Sequence, residues 1–424
     1  MNVRVYYDGQ EVEVGVPKSC TLESIEPMIL KITKPENEVI SESLVNPISS
    51  PSFEKFVSEY DSFLLIVNDG ARATPTPRIL KQLLPYLKDK NIGIIVACGT
   101  HKPPSENEIK ELILGEFYAT LRKKLVLHDS RASDNFITVG TTSRGTTVRV
   151  NPIIDEYDAI IAINSIEPHY FAGFTGGRKS FLPGISAYES VEMNHSMALL
   201  DESHILSLKG NPLHEDLEEA VHLIIDARHV FAVNVVLDGS QKIVGSFAGN
   251  IFEQVYEGAE LAKKVYAPII KKPPDILISV VHAPLDQNLY QAQKGFENCL
   301  FAVKPGGIMI LVASCYSGIG PEDYVSMLQS SSTPKELAER FEEIKKHYEL
   351  GWHKVGSIPT FLKDKQLWMV TKIPNNELER MFIRGFDDLQ TAIDEAIKQK
   401  GQRCQMLVVH DSANVCPILD NQNK

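Results

Sequence analysis

The sequence predicts an α/β fold with two domains, each built on a largely parallel sheet flanked by helices. Short apolar runs alternate with helical patterns along nearly the whole chain, as in sheets whose parallel strands are joined by helices. The chain has 424 residues, more than one hydrophobic core usually supports. A stretch rich in Pro and Lys at residues 267–274 interrupts the alternation. We therefore predict an N-terminal domain at residues 1–270 and a C-terminal domain at residues 271–424.

Apolar runs and helix-start signals define the elements of the N-terminal domain. Runs of about five apolar residues predict buried strands, and a Ser followed three residues later by Glu predicts the start of a helix. In chain order, the predicted elements are strands at residues 1–8 and 63–67, a helix at residues 76–88, a strand at residues 92–97, a helix starting at Ser105–Glu108, a strand at residues 159–164, and a helix that starts at Ser186–Glu189 and carries His195.

The same signals recur in the C-terminal domain. Four apolar runs predict the strands of a second parallel sheet, and a charged amphipathic segment predicts a surface helix. The predicted elements are strands at residues 276–281, 307–312, 367–370 and 405–409, and helices starting near Asn288 and covering residues 334–346.

Polar residues follow the predicted strands at their carboxyl ends. Asp69, His101 and Asn164 each end such a strand or follow it closely, and His169 comes shortly after the third. Ligands of open α/β sheets bind beyond the carboxyl ends of the strands. Residues 282–294 occupy the equivalent place in the C-terminal domain. We therefore expect the active site in the cleft between the two domains.

Composition excludes several classes of function. The net charge of −12 argues against nucleic acid as the main partner, and it requires local cations if the substrate is an anion. No apolar run is long enough to span a bilayer, and the N-terminus has the pattern of a strand and not of a signal peptide. The six cysteines are scattered without a close pair, which is typical of a reducing compartment. We predict a cytoplasmic enzyme without a membrane partner.

Residues 167–196 contain the most informative motif. Two histidines, His169 and His195, flank a glycine-rich loop that carries Lys179. Glycines allow backbone N–H groups to approach a phosphate, and a lysine in such a loop can clamp charge or act as a nucleophile. The loop is not a P-loop, because Arg178 stands where that motif has the glycine before its lysine. The segment therefore predicts a phosphorylated cofactor held beside reactive groups.

This segment resembles the nickel-dependent lactate racemase family. The similarity is carried by His-Tyr-Phe-Ala-Gly-Phe-Thr-Gly-Gly-Arg-Lys-Ser at residues 169–180, Leu-Pro-Gly-Ile at 182–185 and Asn-His-Ser at 194–196. It extends to Gly-Thr-His-Lys-Pro at 99–103 and to residues 231–238, 243–249 and 284–295. It thus spans most of the chain.

The resemblance implies racemisation or epimerisation of a 2-hydroxy acid by reversible hydride transfer to a nickel-pincer nucleotide, through a 2-keto acid. It makes Lys179 the covalent attachment point of the cofactor and His195 the protein ligand to nickel. His101 and His169 would exchange the hydroxyl proton, one for each enantiomer. The other residues that it implies are Asp69, Arg72, Gly173, Gly176, Gly177, Arg178 and Ser180 for cofactor binding, and Arg72, Tyr290, Gln291, Lys294 and Trp352 for substrate binding. It also implies cofactor-biosynthesis enzymes as maturation partners.

One segment departs from the family pattern. The family usually has Asp-x-Thr-Arg-Pro after the first strand, whereas this chain has Ala71 in place of Thr and Ala73 in place of Pro. The smaller side chains favour a 2-hydroxy acid larger than lactate. One alternative is a nicotinamide-dependent 2-hydroxy acid oxidoreductase, although no Gly-x-Gly-x-x-Gly follows an early strand. A second alternative is a non-catalytic phosphate- or nucleotide-binding protein, which leaves the histidines unexplained.

Overall fold

The protein, analysed as a computed structural model that describes residues 1–132 and 136–420, divides into two compact units. One unit is Ile29–Lys263, and the other combines Met1–Met28 with Lys264–Lys424. Each unit contains a six-stranded sheet with helices packed on it. The α/β class predicted from the sequence is confirmed. Within the described ranges, no helix is both long and apolar enough to cross a membrane.

The strands are distributed over both units. In chain order they are β1 (Asn2–Tyr7), β2 (Gln10–Gly15), β3 (Thr21–Ile25), β4 (Ser62–Asn68), β5 (Asn91–Ala97), β6 (Leu125–Leu127), β7 (Ile137–Thr141), β8 (Thr147–Val150), β9 (Ala159–Ser165), β10 (Pro168–His169), β11 (Gly173–Phe174), β12 (His229–Leu237), β13 (Ile243–Gly249), β14 (Ile269–Ile270), β15 (Ile276–Val280), β16 (Ile308–Val312), β17 (Gln366–Val370), β18 (Arg384–Phe386), β19 (Gln405–Val409) and β20 (Ile418–Leu419).

The helices lie mainly between the strands. The α-helices are α1 (Glu36–Val45), α2 (Phe53–Ser58), α3 (Thr76–Leu83), α4 (Glu106–Glu108), α5 (Tyr118–Leu121), α6 (Tyr188–Ser196), α7 (Pro212–Ile225), α8 (Glu253–Tyr266), α9 (Leu289–Cys299), α10 (Glu322–Leu328), α11 (Pro334–Ile344), α12 (His353–Phe361), α13 (Asn375–Glu379) and α14 (Leu389–Lys400). A π-helical turn covers Ile109–Leu114, and short 3₁₀ turns cover Gly115–Phe117, Arg122–Lys124, Pro152–Asp155, Gly177–Ser180, Met197–Leu199, Leu285–Gln287 and Lys345–His347.

The sheet of the Ile29–Lys263 unit has the strand order β13-β12-β9-β4-β5-β6. All neighbours are parallel except β13, which runs antiparallel to β12 at one edge. The central strand β4 is buried on both faces, since Leu64 and Leu65 are both fully covered. This is why its sequence is continuously apolar instead of alternating. The parallel arrangement brings the carboxyl ends of β4, β5 and β9 to one edge of the sheet.

The second sheet has the order β18-β17-β16-β15-β19-β3, and all its neighbours are parallel. The edge strand β3 comes from the N-terminus and pairs with β19, with Thr21 opposite Gln405. Met1–Met28 therefore belongs to the unit that contains the C-terminal sheet, although we grouped these residues with the N-terminal domain from the sequence. A pairing between the two ends of the chain has no local sequence signal, because it depends on partners far apart in the chain.

The two predicted capping boxes have different outcomes. At α4, the Ser105 hydroxyl accepts the Glu108 N–H at 3.3 Å and the Glu108 carboxylate accepts the Ser105 N–H at 2.7 Å, so this box is confirmed. The prediction at Ser186 is wrong: α6 begins one residue later, after Ala187, without a side-chain cap. The Ser186 hydroxyl donates to the Phe181 carbonyl at 2.7 Å instead. The predicted helix that carries His195 is nevertheless confirmed.

Candidate active site

Side-chain hydrogen bonds join the loops that follow β4 and β9. The Asn68 amide donates to the Thr74 hydroxyl at 2.6 Å, and the hydroxyls of Thr74 and Ser165 lie 2.7 Å apart. Ser165 in turn donates to the Glu167 carboxylate at 2.7 Å. Sequence reasoning gave these residues no role. The switch from apolar to polar residues at the end of each strand could have indicated Asn68 and Ser165. We used this pattern only for Asp69, His101 and Asn164.

His101 and Asp69 form a hydrogen-bonded pair on neighbouring loops. The Nδ1 atom of His101 lies 2.7 Å from Oδ2 of Asp69. The carboxylate side chain is only 7 % exposed, whereas the imidazole is 47 % exposed. A carboxylate accepts hydrogen bonds, so this contact fixes the ring proton of neutral His101 on Nδ1. The Nε2 atom then keeps its lone pair, which is the state that a general base requires.

The surroundings of Asp69 favour its ionised form. Burial is the largest influence and by itself would raise its pKa, but the hydrogen bond from His101 outweighs it together with the charges of His101 and Arg72. The backbone N–H of Ala71 also donates to this carboxylate, at 3.2 Å. The net effect holds the pKa of Asp69 below its ordinary value. The orientation of His101 therefore persists across the neutral pH range.

The glycine-rich loop packs against its own protein. Gly173, Gly176 and Gly177 have φ values of +74°, +95° and +40°, which favour glycine. A Cβ atom at Gly177 would lie 2.7 Å from the Ile251 carbonyl oxygen, and the Gly177 N–H donates to the Asn234 side chain at 2.9 Å. These glycines thus allow close packing of the loop, a reason for their presence that does not involve a phosphate.

Substituting Gly173 with Ala is expected to destabilise the protein strongly. The new Cβ atom would overlap the Ser207 carbonyl oxygen, and φ would stay positive. We expect a loss of about 3 kcal/mol or more of unfolding free energy, measured by urea denaturation. Gly210 is the matched control, because it has φ +83° but no heavy atom within 4 Å of its added Cβ. Gly210→Ala should cost only about 1–2 kcal/mol. Equal effects at both positions would contradict this account.

Arg178 is fully buried and committed to internal contacts. Its Nε donates to Nδ1 of His214 at 2.9 Å, and its guanidinium also donates to the Phe174 carbonyl at 3.2 Å. The other nitrogen of His214 lies near Tyr256 and Glu218, at 3.1 and 3.3 Å. Burial, followed by the charge of Arg178, lowers the pKa of His214 to about 4. This geometry gives Arg178 the role of anchoring the loop that carries Lys179.

Three of the candidate side chains converge on the Phe171 ring. The His169 and His195 rings lie 4.4 and 5.0 Å from it between centroids, both edge to face. The Nζ atom of Lys179 lies 5.5 Å from the same centroid. Each of the three residues is 9 % exposed. Residues from β10, α6 and the Gly177–Ser180 turn are thus gathered around one aromatic ring, which sequence reasoning had not given a role.

The Lys179 segment also contacts the His101 turn. The Gly99 N–H donates to the Gly184 carbonyl at 2.9 Å, and the Gly184 N–H donates to the Lys179 carbonyl at 3.0 Å. Ser180, another candidate, is buried and accepts a hydrogen bond from the Asn164 amide at 2.7 Å. The proton-exchange candidate His101 and the attachment candidate Lys179 therefore belong to one connected group of loops.

The substrate candidates Tyr290, Gln291 and Lys294 lie together on α9 in the other unit. All three are partly exposed, and positions 290 and 294 are one helical turn apart. Asn288 caps this helix by accepting the Gln291 N–H at 2.9 Å, and the helix predicted to start near Asn288 is confirmed. Trp352 lies directly before α12 and lines a cavity of about 670 Å³ with residues of α11.

His128 is a buried histidine that makes the unit sensitive to acid. Its Nε2 donates to the Ser186 carbonyl at 3.0 Å, and burial lowers its pKa to about 4. Below pH 6.5 the unfolded chain therefore takes up a proton that the folded chain refuses, so stability falls as the pH drops from 6.5 towards 4. We expect His128→Gln to recover about 3 kcal/mol of that loss in denaturation at pH 4 relative to pH 7. The exposed His347→Gln is the control and should leave the slope unchanged.

Comparison with known proteins shows to which family the chain belongs. The chain matches the lactate racemase N-terminal domain over residues 7–206 and the lactate racemase C-terminal domain over residues 269–416. It is 30% identical over 395 residues to the lactate racemase of Thermoanaerobacterium thermosaccharolyticum, with 91% of each chain covered. The chain belongs to the lactate racemase family. It is accordingly an isomerase, and its family membership implies a cofactor.

Two other comparisons concern family members, and one concerns the fold alone. The lactate racemase of Lactiplantibacillus plantarum is 34% identical over 313 residues, 72% of each chain. The solved lactate racemase apoprotein from T. thermosaccharolyticum superposes with a TM-score of 0.88 at 27% identity, covering 98% of this chain and 100% of that one. A Thermotoga maritima protein at 18% identity has the same fold, with a TM-score of 0.70.

Proposed function

We propose that this protein racemises or epimerises a 2-hydroxy acid, either lactate or a larger relative. The observation that carries the proposal is the convergence of His169, His195 and Lys179 on Phe171. These are three of the four side chains to which the family resemblance gives chemical roles, and they come from separate elements of the fold. The lactate racemases among the relatives give the reaction class.

The chemistry explains why such a site needs a cofactor. The hydrogen on the α-carbon of a 2-hydroxy acid is barely acidic, because the neighbouring carboxylate disfavours a carbanion. Removing it as hydride, while the hydroxyl proton goes to a base, gives a flat 2-keto acid. Return of hydride to the other face inverts the centre. Protein side chains do not accept hydride, so a cofactor has to do so.

The residues around Phe171 fit a nickel-pincer nucleotide. The attachment candidate Lys179 and the imidazole of His195 adjoin the same ring, and imidazole is a suitable donor for nickel. When bound, this cofactor supplies the hydride acceptor. His195 would be the protein's ligand to nickel, and Lys179 would hold the organic part. Arg178 and Ser180, which the resemblance assigns to cofactor binding, hydrogen-bond within the protein to His214 and Asn164.

His101 and His169 differ in their ring states. His101 keeps a lone pair on Nε2, because Asp69 holds its proton on Nδ1. The Ala172 N–H donates to Nδ1 of His169 at 3.4 Å, which places the ring proton of neutral His169 on Nε2. One imidazole thus accepts a hydroxyl proton, while the other offers an N–H to a substrate oxygen. For His169 to serve as the base for the other enantiomer, its proton must move to Nδ1.

The substrate carboxylate needs local cations, because the chain carries a net charge of −12. We propose that Lys294 on α9 and Arg72 after β4 supply these cations, and that Gln291 on α9 contributes a neutral hydrogen-bond donor. Ala71 and Ala73, which flank Arg72, are both exposed. Their small side chains leave space beside the guanidinium, which favours a substrate with a longer side chain than lactate.

The test is a chiral assay on protein matured by co-expression with cofactor-biosynthesis enzymes. We expect interconversion of the enantiomers of lactate, 2-hydroxybutanoate and phenyllactate, with a higher kcat/KM for one of the larger acids. The Ala71→Thr/Ala73→Pro variant should shift the preference towards lactate by roughly tenfold. Protein expressed without the maturation enzymes is the control. Absence of turnover on all three acids by nickel-loaded, matured protein would contradict the proposal. The maturation partners and a cytoplasmic location stay predictions.

A further inference from the structure

A buried pair of opposite charges lies behind the substrate candidates on α9. Lys354 on α12 is 3 % exposed and Glu297 on α9 is 8 % exposed. Neither residue belongs to a sequence motif or to the groups discussed above. Removing charged groups from water is costly, so their burial requires compensating contacts. The contacts described below join both residues to α9, the helix that carries Tyr290, Gln291 and Lys294.

Lys354 holds the first turn of α9. Its Nζ donates to the Tyr290 carbonyl oxygen at 2.6 Å and lies 4.4 Å from the centroid of the Tyr290 ring. The ammonium group therefore contacts both the backbone and the side chain of the same residue. Its own carbonyl oxygen accepts the Gln293 amide at 2.5 Å, which adds a second link between α12 and α9.

Glu297 fixes the last turn of the same helix. Its carboxylate accepts the Gln293 amide at 2.7 Å and a short hydrogen bond from the Ser357 hydroxyl. The amide oxygen of Gln293 accepts the Tyr324 hydroxyl at 2.6 Å. The network thus connects α9 with α10 and α12. Burial raises the pKa of Glu297 and lowers the pKa of Lys354, while the opposite charge of each group works against the shift in the other.

The network and two of the substrate candidates share one face of α9. Residues three or four positions apart lie on the same side of a helix, and this spacing joins Tyr290, Gln293, Lys294 and Glu297 in turn. Fixing Gln293 and Glu297 therefore sets the rotation of the helix about its axis. That rotation determines where Gln291 and Lys294 point.

We infer that Lys354, together with the Glu297 network, is a positioning residue that aims Gln291 and Lys294 at the substrate carboxylate. This inference rests on the proposed function. The substrate carboxylate keeps its charge throughout the reaction, so a poorer grip on it weakens ground state and transition state alike. Loss of the pair should therefore raise KM more than it lowers kcat.

The test compares Lys354→Met with Lys294→Met and with the double variant, all matured in the same way. We expect Lys354→Met to raise KM roughly tenfold, with kcat changed by less than about threefold. Because Lys354 acts through α9, the double variant should be hardly worse than Lys294→Met alone. Multiplicative effects of the two changes would overturn the inference. Lys335→Met, an exposed lysine on α11, is the control and should have no effect.

Amide hydrogen exchange on the unmatured protein provides a readout without turnover. Lys354→Met should accelerate exchange in the first turn of α9, and Lys335→Met should not. If Lys354→Met fails to fold, the variant Lys354→Met/Glu297→Gln, which leaves no unpaired buried charge, takes its place in both measurements. Unchanged exchange and unchanged KM would overturn the inference. A wild-type protein that is fully matured yet inactive would instead count against the proposed function.

Discussion

Lys179→Arg is expected to abolish racemisation and to leave the chain without a covalently bound cofactor. The variant keeps the positive charge near Phe171, where Nζ of Lys179 lies 5.5 Å from the ring centroid. It removes the primary amine that would form the thioamide link. A lysine that served only as a phosphate clamp would tolerate this change better, because arginine also binds phosphate. Activity should fall to the level of the unmatured protein.

Intact-protein mass spectrometry with nickel analysis measures this directly. Matured wild-type protein should gain a mass of nucleotide size that maps to the Lys179 peptide, with about one nickel per chain. Lys179→Arg should gain none. Lys209→Arg, at an exposed lysine of the same unit, is the control and should be modified like the wild type. An adduct that persists in Lys179→Arg, or that maps elsewhere, would contradict the attachment assignment.

His101→Gln is expected to slow racemisation by a factor of about 10²–10⁴, the usual contribution of a general base. The two directions must slow equally, because the enantiomers have equal free energies and the equilibrium constant is one. A single-turnover experiment distinguishes the roles of the two histidines. If His101 serves one enantiomer, the variant should still oxidise the other to the 2-keto acid at a rate near that of the wild type. Equal loss for both enantiomers would contradict the division of roles with His169.

Asp69→Asn tests how the base is oriented. The Asp69 carboxylate accepts the proton of Nδ1, whereas an amide nitrogen at the same place would donate to Nδ1 and move the ring proton to Nε2. The wrong tautomer would then face the substrate. We expect a loss of kcat approaching that of His101→Gln, with KM changed less. A variant as active as the wild type would show that Asp69 has only a structural role.

Local sequence patterns predicted the strands well, because a strand buried on both faces must be apolar along its whole length. The runs at residues 63–67 and 159–164 correspond to β4 and β9, and the parallel topology brings Asp69 and His101 together at the carboxyl edge. Helix boundaries were less predictable. The helix predicted at residues 76–88 ends at Leu83, and Ser186 uses its hydroxyl for a contact within its own loop.

Features that depend on distant partners had no signal in the sequence. The sequence places Arg178 inside a loop of phosphate-binding character, but the partner that buries it, His214, lies on a different element. The pairing of β3 with β19 and the contacts of Lys354 with Tyr290 also join residues that are far apart in the sequence. In each case tertiary packing determines the partner of the side chain or strand, so the local sequence does not predict it.

The fate of an α-deuterium tests the central claim, racemisation by hydride transfer, most directly. Matured protein is given one enantiomer of 2-deuteriolactate in ordinary water, and the deuterium in the inverted product is measured by mass spectrometry. Hydride does not exchange with water while it is held in the site, whereas protons on His101 and His169 do. The account predicts that the inverted product retains its deuterium. Replacement of the deuterium by solvent hydrogen would show that the α-hydrogen leaves as a proton, and would contradict the account.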